Sequence, residues 1–220
     1  MKKKLLAVAA ALFALSANAQ MWVGGALGFD YSPRSNSHAR TTTFTISPSV
    51  GYDLNEKWGL GLNLSLSLSD HSNKTITANG RTDSSGNTHS YSVSPFVRFS
   101  FAKSGKATFF VDGAVSFGLF KSHNDYYRES WISSTTTVDE QESTSDGYTL
   151  MAGLRPGVKI AVAEHLDLIA MTGFIGWQKN HSSADLHSAN NNTASSSLTQ
   201  EKWAINVDQT LVNLGLIYKF

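Results

Sequence analysis

The sequence predicts an all-β protein, an eight-stranded antiparallel up-and-down transmembrane β-barrel with short periplasmic turns and four long extracellular loops. Three observations predict this fold class. Apolar and polar residues alternate along segments of about ten residues, eight such segments follow one another, and their connections are alternately short and long.

The clearest segment is 58–68, in which every even position is apolar and every odd position is small or polar. Its apolar positions are Trp58, Leu60, Leu62, Leu64, Leu66 and Leu68. A strand with one apolar face produces this pattern, whereas no helical period does. At a tilt of about 45°, a strand of this length spans roughly 25 Å, the height of the apolar band of an outer-membrane barrel.

The same alternation predicts seven further strands. Five are clear and lie at 44–54, 91–101, 109–119, 148–162 and 212–220. In the first strand, 21–31, we expect Val23, Leu27 and Phe29 to face outward. In the seventh, 165–178, both parities are apolar, so the pattern does not decide which side faces the lipid.

The connections alternate in length, which predicts the topology. Three are short: 55–57, 103–106 and the turn around Glu164. Four are long and polar, at about 32–42, 70–89, 122–146 and 179–204. Outer-membrane barrels keep short turns on the periplasmic side, and both termini on that side require an even strand number. A soluble β-sandwich or lipocalin-like barrel is the alternative, because there the same alternation places apolar residues inside.

Repeated prolines favour the membrane barrel. Pro48, Pro95 and Pro156 stand at equivalent places, each followed by apolar residues two and four positions later and then by a short turn. Proline removes a ladder donor and is normally confined to edges or bulges, so three equivalent prolines indicate one repeated architectural device.

Aromatic residues gather near both ends of the predicted strands. Those near the short turns are Tyr52, Trp58, Phe99, Phe101, Phe109 and Tyr218, and those near the long loops are Tyr91, Phe120, Tyr148 and Trp177. Two such belts suit the two interfaces of a membrane.

The first nineteen residues have the pattern of a cleaved secretory signal. Three lysines at 2–4 precede an apolar run at 5–15 and the small-residue site Ala17-Asn18-Ala19, so the mature barrel domain is expected at 20–220. Without these three of the 18 basic residues, 15 remain against 17 acidic ones, a formal charge of −2. This balance excludes a strongly basic nucleic-acid surface, and the absence of cysteine excludes disulfides.

The last strand and the proline repeats carry a family resemblance. Phe220 is preceded by alternating Tyr218, Leu216 and Leu214. From 20 to 220 the chain resembles the small outer-membrane β-barrel family of Gram-negative bacteria, the porin-like or OmpA/OmpX-type proteins. The resemblance implies a location in the bacterial outer membrane and contact with its lipid and lipopolysaccharide. It also implies that Tyr218 and Phe220 form the signal read by the barrel-assembly machinery.

Strand parity places four charged residues inside the barrel: Arg98, Asp112, Arg155 and Lys159. Counting from the short turns, we expect Asp112 to lie between Arg98 and Lys159, with Arg155 replacing Lys159 if the strands are staggered by a few residues. Unpaired charges are costly in a narrow lumen, so these residues are predicted to form a structural ionic cluster.

The sequence predicts no catalytic, cofactor-binding or metal-binding residues. Six of the seven histidines fall in the long loops: His38, His71, His89, His123, His181 and His187. None forms a ligand pair with fixed spacing. Ser116 lies in a segment similar to a nucleophile elbow, but the first glycine is missing and the segment belongs to a strand.

These observations predict a non-enzymatic surface protein. An eight-stranded barrel is filled by its own side chains, so a broad pore is not expected. The barrel would anchor polar loops for envelope integrity, adhesion or contact with an unidentified extracellular partner. The alternatives are an outer-leaflet enzyme that modifies lipid A or phospholipid, and a narrow channel for small solutes. Loop residues considered as contact points are Tyr126, Tyr127, Arg128, Trp131 and Trp203, for which an interfacial belt is the competing interpretation.

Overall fold

Antiparallel β-strands make up nearly all of the part of the chain described by the computed structural model, residues 20–34, 39–132, 135–171, 174–188, 193–206 and 213–220. The strands are β1 (Gln20–Arg34), β2 (Ala39–Asp53), β3 (Trp58–Thr77), β4 (Gly80–Ser104), β5 (Ala107–Ile132), β6 (Thr135–Ala161), β7 (Leu166–Met171), β8 (Phe174–Ser188), β9 (Thr193–Asn206) and β10 (Asn213–Lys219). Within these ranges, no helix is long and apolar enough to cross a membrane.

Eight of these strands close into a ring in the order β1, β2, β3, β4, β5, β6, β7, β10 and back to β1. The predicted eight-stranded antiparallel barrel is therefore confirmed. The predicted seventh strand, 165–178, covers β7 and the start of β8, and the predicted eighth, 212–220, corresponds to β10. β8 pairs with β6 beyond the end of β7, and β9 pairs with β8.

The ring exposes its apolar side chains and buries charged ones, which decides between a membrane and a soluble barrel. The predicted outward residues Leu27 and Phe29 are 59% and 68% exposed, whereas Asp112 is 1% exposed. Val23 also faces outward. A soluble barrel has the opposite arrangement, so the alternation in this sequence describes a lipid-facing surface.

The undecided parity of the seventh strand has a structural cause. Leu168 is outward and Ile169 buried, but farther along Ile175 is outward. The β6–β8 ladder is shifted by one residue relative to the β6–β7 ladder, since Val158 pairs with Ala170 whereas Leu154 pairs with Ile175. One extra residue moves the outward side chains to the other parity, so both parities are apolar in the sequence.

The three repeated prolines occupy equivalent, outward-facing positions. Pro48 and Pro95 remain in register with the preceding strand, but the ladder to the following strand omits each proline and the residue before it. Pro156 lies between the last pair of the β6–β8 ladder and the first pair of the β6–β7 ladder. Because proline has no N–H to donate, each one marks the place where backbone pairing to the next strand is interrupted.

The predicted long loops are largely strands, which corrects the sequence interpretation. The β3–β4 ladder continues without interruption to Thr77 and Gly80, and the β5–β6 ladder continues to Ile132 and Thr135. Most of 179–204 belongs to β8 and β9. Above the membrane both faces of a strand meet water, so the alternation that marks a lipid-facing strand disappears while the backbone ladder persists.

The aromatic belts are formed with one exception. Near the short turns, the rings of Trp58 and Phe99 lie tilted against each other with centroids 4.6 Å apart, and near the outer ends those of Phe117 and Tyr148 stack with centroids 6.5 Å apart. Phe120 does not belong to the outer belt, because it shares the side of β5 on which Asp112 is buried. Parity along β5 therefore places its ring on the inner side.

Candidate functional site

A layer of large apolar side chains closes the lumen. Trp22, Phe96, Phe110, Ile169 and Ile217 are all buried and pack together, although they come from five different strands. The space left among them is a cavity of about 20 Å³, close to the volume that holds a single water molecule. This buried layer separates a periplasmic mouth from the space beyond it.

An ion pair is embedded in the buried layer. Arg98 Nε donates to Asp112 Oδ1 at 2.8 Å, and the Arg98 terminal nitrogen donates to Oδ2 at 2.9 Å. The Arg98 guanidinium carbon lies 4.0 Å from the ring centroid of Phe110 and 5.3 Å from that of Phe96. Bidentate pairing and aromatic faces thus compensate this cation for the loss of water.

Lys159 does not contact Asp112, so that part of the predicted cluster is wrong. The Lys159 amine lies 3.8 Å from a carboxylate oxygen of Asp53 and 3.8 Å from one of Asp167. Across β5 and β6, Asp112 is opposite Arg155, whereas Lys159 is opposite Thr108. The four-residue difference is roughly 13 Å along the strand. The prediction was based on the number of residues between each charge and its short turn. That count ignores the stagger between strands and the irregularity in β4 between Ser100 and Ala102.

A second ionic network lies below the buried layer, at the periplasmic mouth. Lys219 pairs with Asp167 at 2.7 Å, and Lys159 lies between Asp167 and Asp53. Trp22 Nε1 donates to Asp53 at 3.2 Å and connects this network to the layer. Asp167 was not predicted to lie in the lumen, because the parity of its strand is undecided in the sequence. The parity of Lys159 and Lys219 places both side chains in the lumen. This was the available signal for inward carboxylates, because buried cations require such partners.

Arg155 is inside the barrel as predicted from parity, but it is not part of either ion-pair network. Its guanidinium carbon lies 6.0 Å from the ring centroid of Phe96. Within the described residues, its buried Nε has no hydrogen-bond partner. This arginine is therefore the cation in the lumen whose charge is least well compensated.

Three cavities follow one another along the barrel. The periplasmic mouth, about 930 Å³, is lined by Lys57, Lys106, Lys159 and Lys219 among others. Beyond the buried layer lies a cavity of about 220 Å³ with several serines in its wall. A cleft of about 760 Å³ lies among the outer hairpins. Asp83 in its wall forms an ion pair with Arg81, and the hydrogen bond from Arg81 lowers the pKa of the Asp83 carboxyl group.

The residues considered for chemistry do not assemble into a catalytic or metal site in the structure's described ranges. No group of three or more His, Asp or Glu side chains there is placed to hold a metal ion. His123 lies 3.5 Å from Asp125 and 3.5 Å from Glu142, on exposed strand surface. Ser116 accepts a hydrogen bond from Ser94 at 2.7 Å. Such a bond is the ordinary contact of an inward-facing serine in a narrow lumen.

The buried layer depends on glycine at the positions facing its aromatic rings. A Cβ on Gly51 would lie 2.0 Å from the Trp22 ring, whereas one on Gly113 would lie no closer than 3.9 Å to any atom. We expect Gly51→Ala to lower the free energy of unfolding by about 1–3 kcal/mol through overpacking, and Gly113→Ala to leave it nearly unchanged. Urea titration of the refolded barrel measures both changes. Equal effects would show that Trp22 is free to move.

Comparison with known proteins gives a match to one protein family. Residues 5–220 match the family model described as outer membrane protein beta-barrel domain. No curated protein matches the chain.

Three solved structures are among those similar to the chain. One is a major outer membrane protein from Thermus thermophilus, 14% identical with a TM-score of 0.41, covering 92% of this chain and 100% of that one. Another is Neisserial surface protein A, 15% identical with a TM-score of 0.29, covering 92% and 96%. The third is the translocator domain of the autotransporter NalP from Neisseria meningitidis, 11% identical with a TM-score of 0.39, covering 100% and 95%. The family match, and not these similarities, establishes the family.

Proposed function

The chain belongs to the outer membrane protein β-barrel family and lies in the bacterial outer membrane, and from this premise we propose that it is a non-enzymatic surface protein. In this proposal the barrel anchors projecting β-hairpins that contact an extracellular partner, in adhesion or in maintaining the envelope. Residues 1–19 are removed on export, and the barrel-assembly machinery inserts the mature chain.

The closed lumen supports an anchoring role over a channel. The buried layer leaves about 20 Å³ between the periplasmic mouth and the space above, and its members include an ion pair held by two hydrogen bonds. Solutes would have to displace several packed aromatic rings to pass. Conductance in planar bilayers is therefore expected to remain far below that of a porin.

The hairpins supply the contact surface in this proposal. Leu119 is the last outward apolar residue of β5 before Lys121. The strand continues for thirteen residues beyond Leu119, a length of roughly 40 Å. Near its tip, strand pairing places Ile76, Arg81, Glu129 and Val138 in one row across four strands. Trp131 lies on the same face, 41% exposed, and donates to Glu129 at 2.9 Å. Exposed aromatic and arginine side chains are typical of contact surfaces.

Shortening the β5–β6 hairpin tests this role. We expect replacement of residues 126–141 by a tight Asn-Gly turn to abolish adherence of expressing cells to epithelial monolayers and matrix-coated plates. The replacement removes Glu129, Trp131 and Val138 near the tip but keeps the barrel strands. Gel migration with and without boiling checks that the shortened barrel still folds. Leu198→Ala, at an exposed apolar side chain of β9 outside this hairpin, is the control.

Two results would overturn the proposal. Adherence that does not depend on the hairpin would remove the reason for a contact role. An altered acyl pattern in lipid A, measured by mass spectrometry in cells with and without the protein, would assign an outer-leaflet enzyme instead.

A further inference from the structure

We propose that the lumen holds a binding site for a small oxyanion, with Arg155 as its main ligand. The site is the cavity of about 220 Å³ beyond the buried layer, called here the serine chamber. Its polar lining consists of Ser47, Asn63, Ser65, Ser92, Ser94, Ser116 and Arg155.

Among the described residues, Arg155 has no ion-pair partner of its own. Asp112 is its neighbour across the β5–β6 ladder, but both carboxylate oxygens of Asp112 already accept hydrogen bonds from Arg98. Arg155 Nε is buried and, among the residues described, makes no hydrogen bond. Its guanidinium therefore has donors available to a ligand in the chamber.

Among Arg98, Arg155, Lys159, Lys219 and the carboxylates that they contact, the charges do not balance. Arg98 is matched by Asp112, and Lys159 and Lys219 are matched by Asp53 and Asp167. Arg155 remains as one excess positive charge. A cation held away from water is costly unless an anion compensates it, so an anion beside Arg155 completes the balance.

The wall of the serine chamber offers further hydrogen-bond donors. Ser47 donates to Ser65 at 3.1 Å, and Ser94 donates to Ser116 at 2.7 Å. The hydroxyl hydrogens of Ser65 and Ser116 therefore remain for another acceptor. A planar guanidinium fork matches the paired oxygens of a carboxylate or phosphate better than a halide, and these hydroxyls extend the same preference.

The volume fits an anion of this class. Since water occupies about 30 Å³ per molecule in the liquid, a chamber of about 220 Å³ admits phosphate, sulfate or acetate with a few waters. A large organic anion would not fit. The serine chamber lies inside the barrel, so anion binding there requires neither the outer hairpins nor an extracellular partner.

Thermal unfolding of the purified, folded barrel at constant ionic strength tests the site. We expect the unfolding temperature to rise saturably with sodium phosphate, sulfate or acetate relative to chloride, because a ligand that binds only the folded state stabilises it. The ranking of phosphate against acetate distinguishes a phosphate-type site from a carboxylate site. Isothermal titration with phosphate gives the affinity directly.

Variants separate the site from general salt effects. Arg155→Met is expected to weaken phosphate binding at least tenfold and to remove the difference between phosphate and chloride, and Arg155→Lys to keep part of both. Lys106→Met, which removes a cation at the periplasmic mouth, should leave binding unchanged. A phosphate effect of the same size in Arg155→Met and the unmodified barrel would overturn the proposal, as would the lack of any difference between oxyanions and chloride.

Discussion

Replacing Asp112 by alanine is expected to lower the free energy of unfolding of the purified barrel by about 3–5 kcal/mol. The substitution leaves the Arg98 guanidinium charged, buried and without its two hydrogen-bond acceptors. It also leaves Arg98 and Arg155, which flank position 112 on β4 and β6, with no carboxylate between them. Three aromatic rings surround Arg98, so little water is available to replace the lost carboxylate.

Denaturant titration and gel migration after graded heating measure this loss. Asp83→Ala removes a carboxylate that is also paired with an arginine, but at the exposed outer hairpin, where such pairs contribute about 0–1 kcal/mol. Replacing both partners, with Arg98→Met and Asp112→Leu, should recover much of the stability, because no buried charge remains unpaired. A loss in Asp112→Ala no larger than that in Asp83→Ala would show that the pair is solvated.

The lipid-facing half of the fold was predictable because each outward side chain carries its own signal. Leu62, Leu64 and Leu68 are apolar and exposed in the barrel, so their alternation with Gly61 and Asn63 reports a membrane surface residue by residue. Strand number and the periplasmic turns follow from the same pattern. The outer hairpins were missed because serines and threonines facing water on both sides carry no alternation, although their backbones remain paired.

The inside of the barrel was only partly predictable because it depends on register. Parity placed Arg98, Asp112, Arg155 and Lys159 on the inner side, but which side chains meet is determined by the stagger between strands. Asp112 therefore lies beside Arg98 and opposite Arg155, while Lys159 lies nearer the periplasm with Asp53. The serine chamber required knowledge of three-dimensional proximity, since its serines come from four different strands.

The largest effect of all is expected at the last residue. Phe220 is 67% exposed, its ring packs edge-on to Tyr218 with centroids 5.2 Å apart, and its backbone N–H donates to Met21 at 3.1 Å. Few contacts are lost when it is removed, so the stability of a barrel refolded without it should fall by only about 1 kcal/mol. In cells we nevertheless expect the deletion to reduce surface levels to a small fraction, because the proposed assembly signal is lost.

The matched control is Phe101→Ala, compared with Phe220→Ala. Phe101 is 59% exposed at the same end of the barrel, so both substitutions remove a similar outward aromatic ring. Membrane anchoring alone predicts equal effects, whereas recognition by the assembly machinery predicts periplasmic accumulation and degradation only for Phe220→Ala. Fractionation and protease accessibility of whole cells measure the difference. Normal surface levels of both variants would refute the signal, because assembly in cells would then not depend on the Phe220 ring.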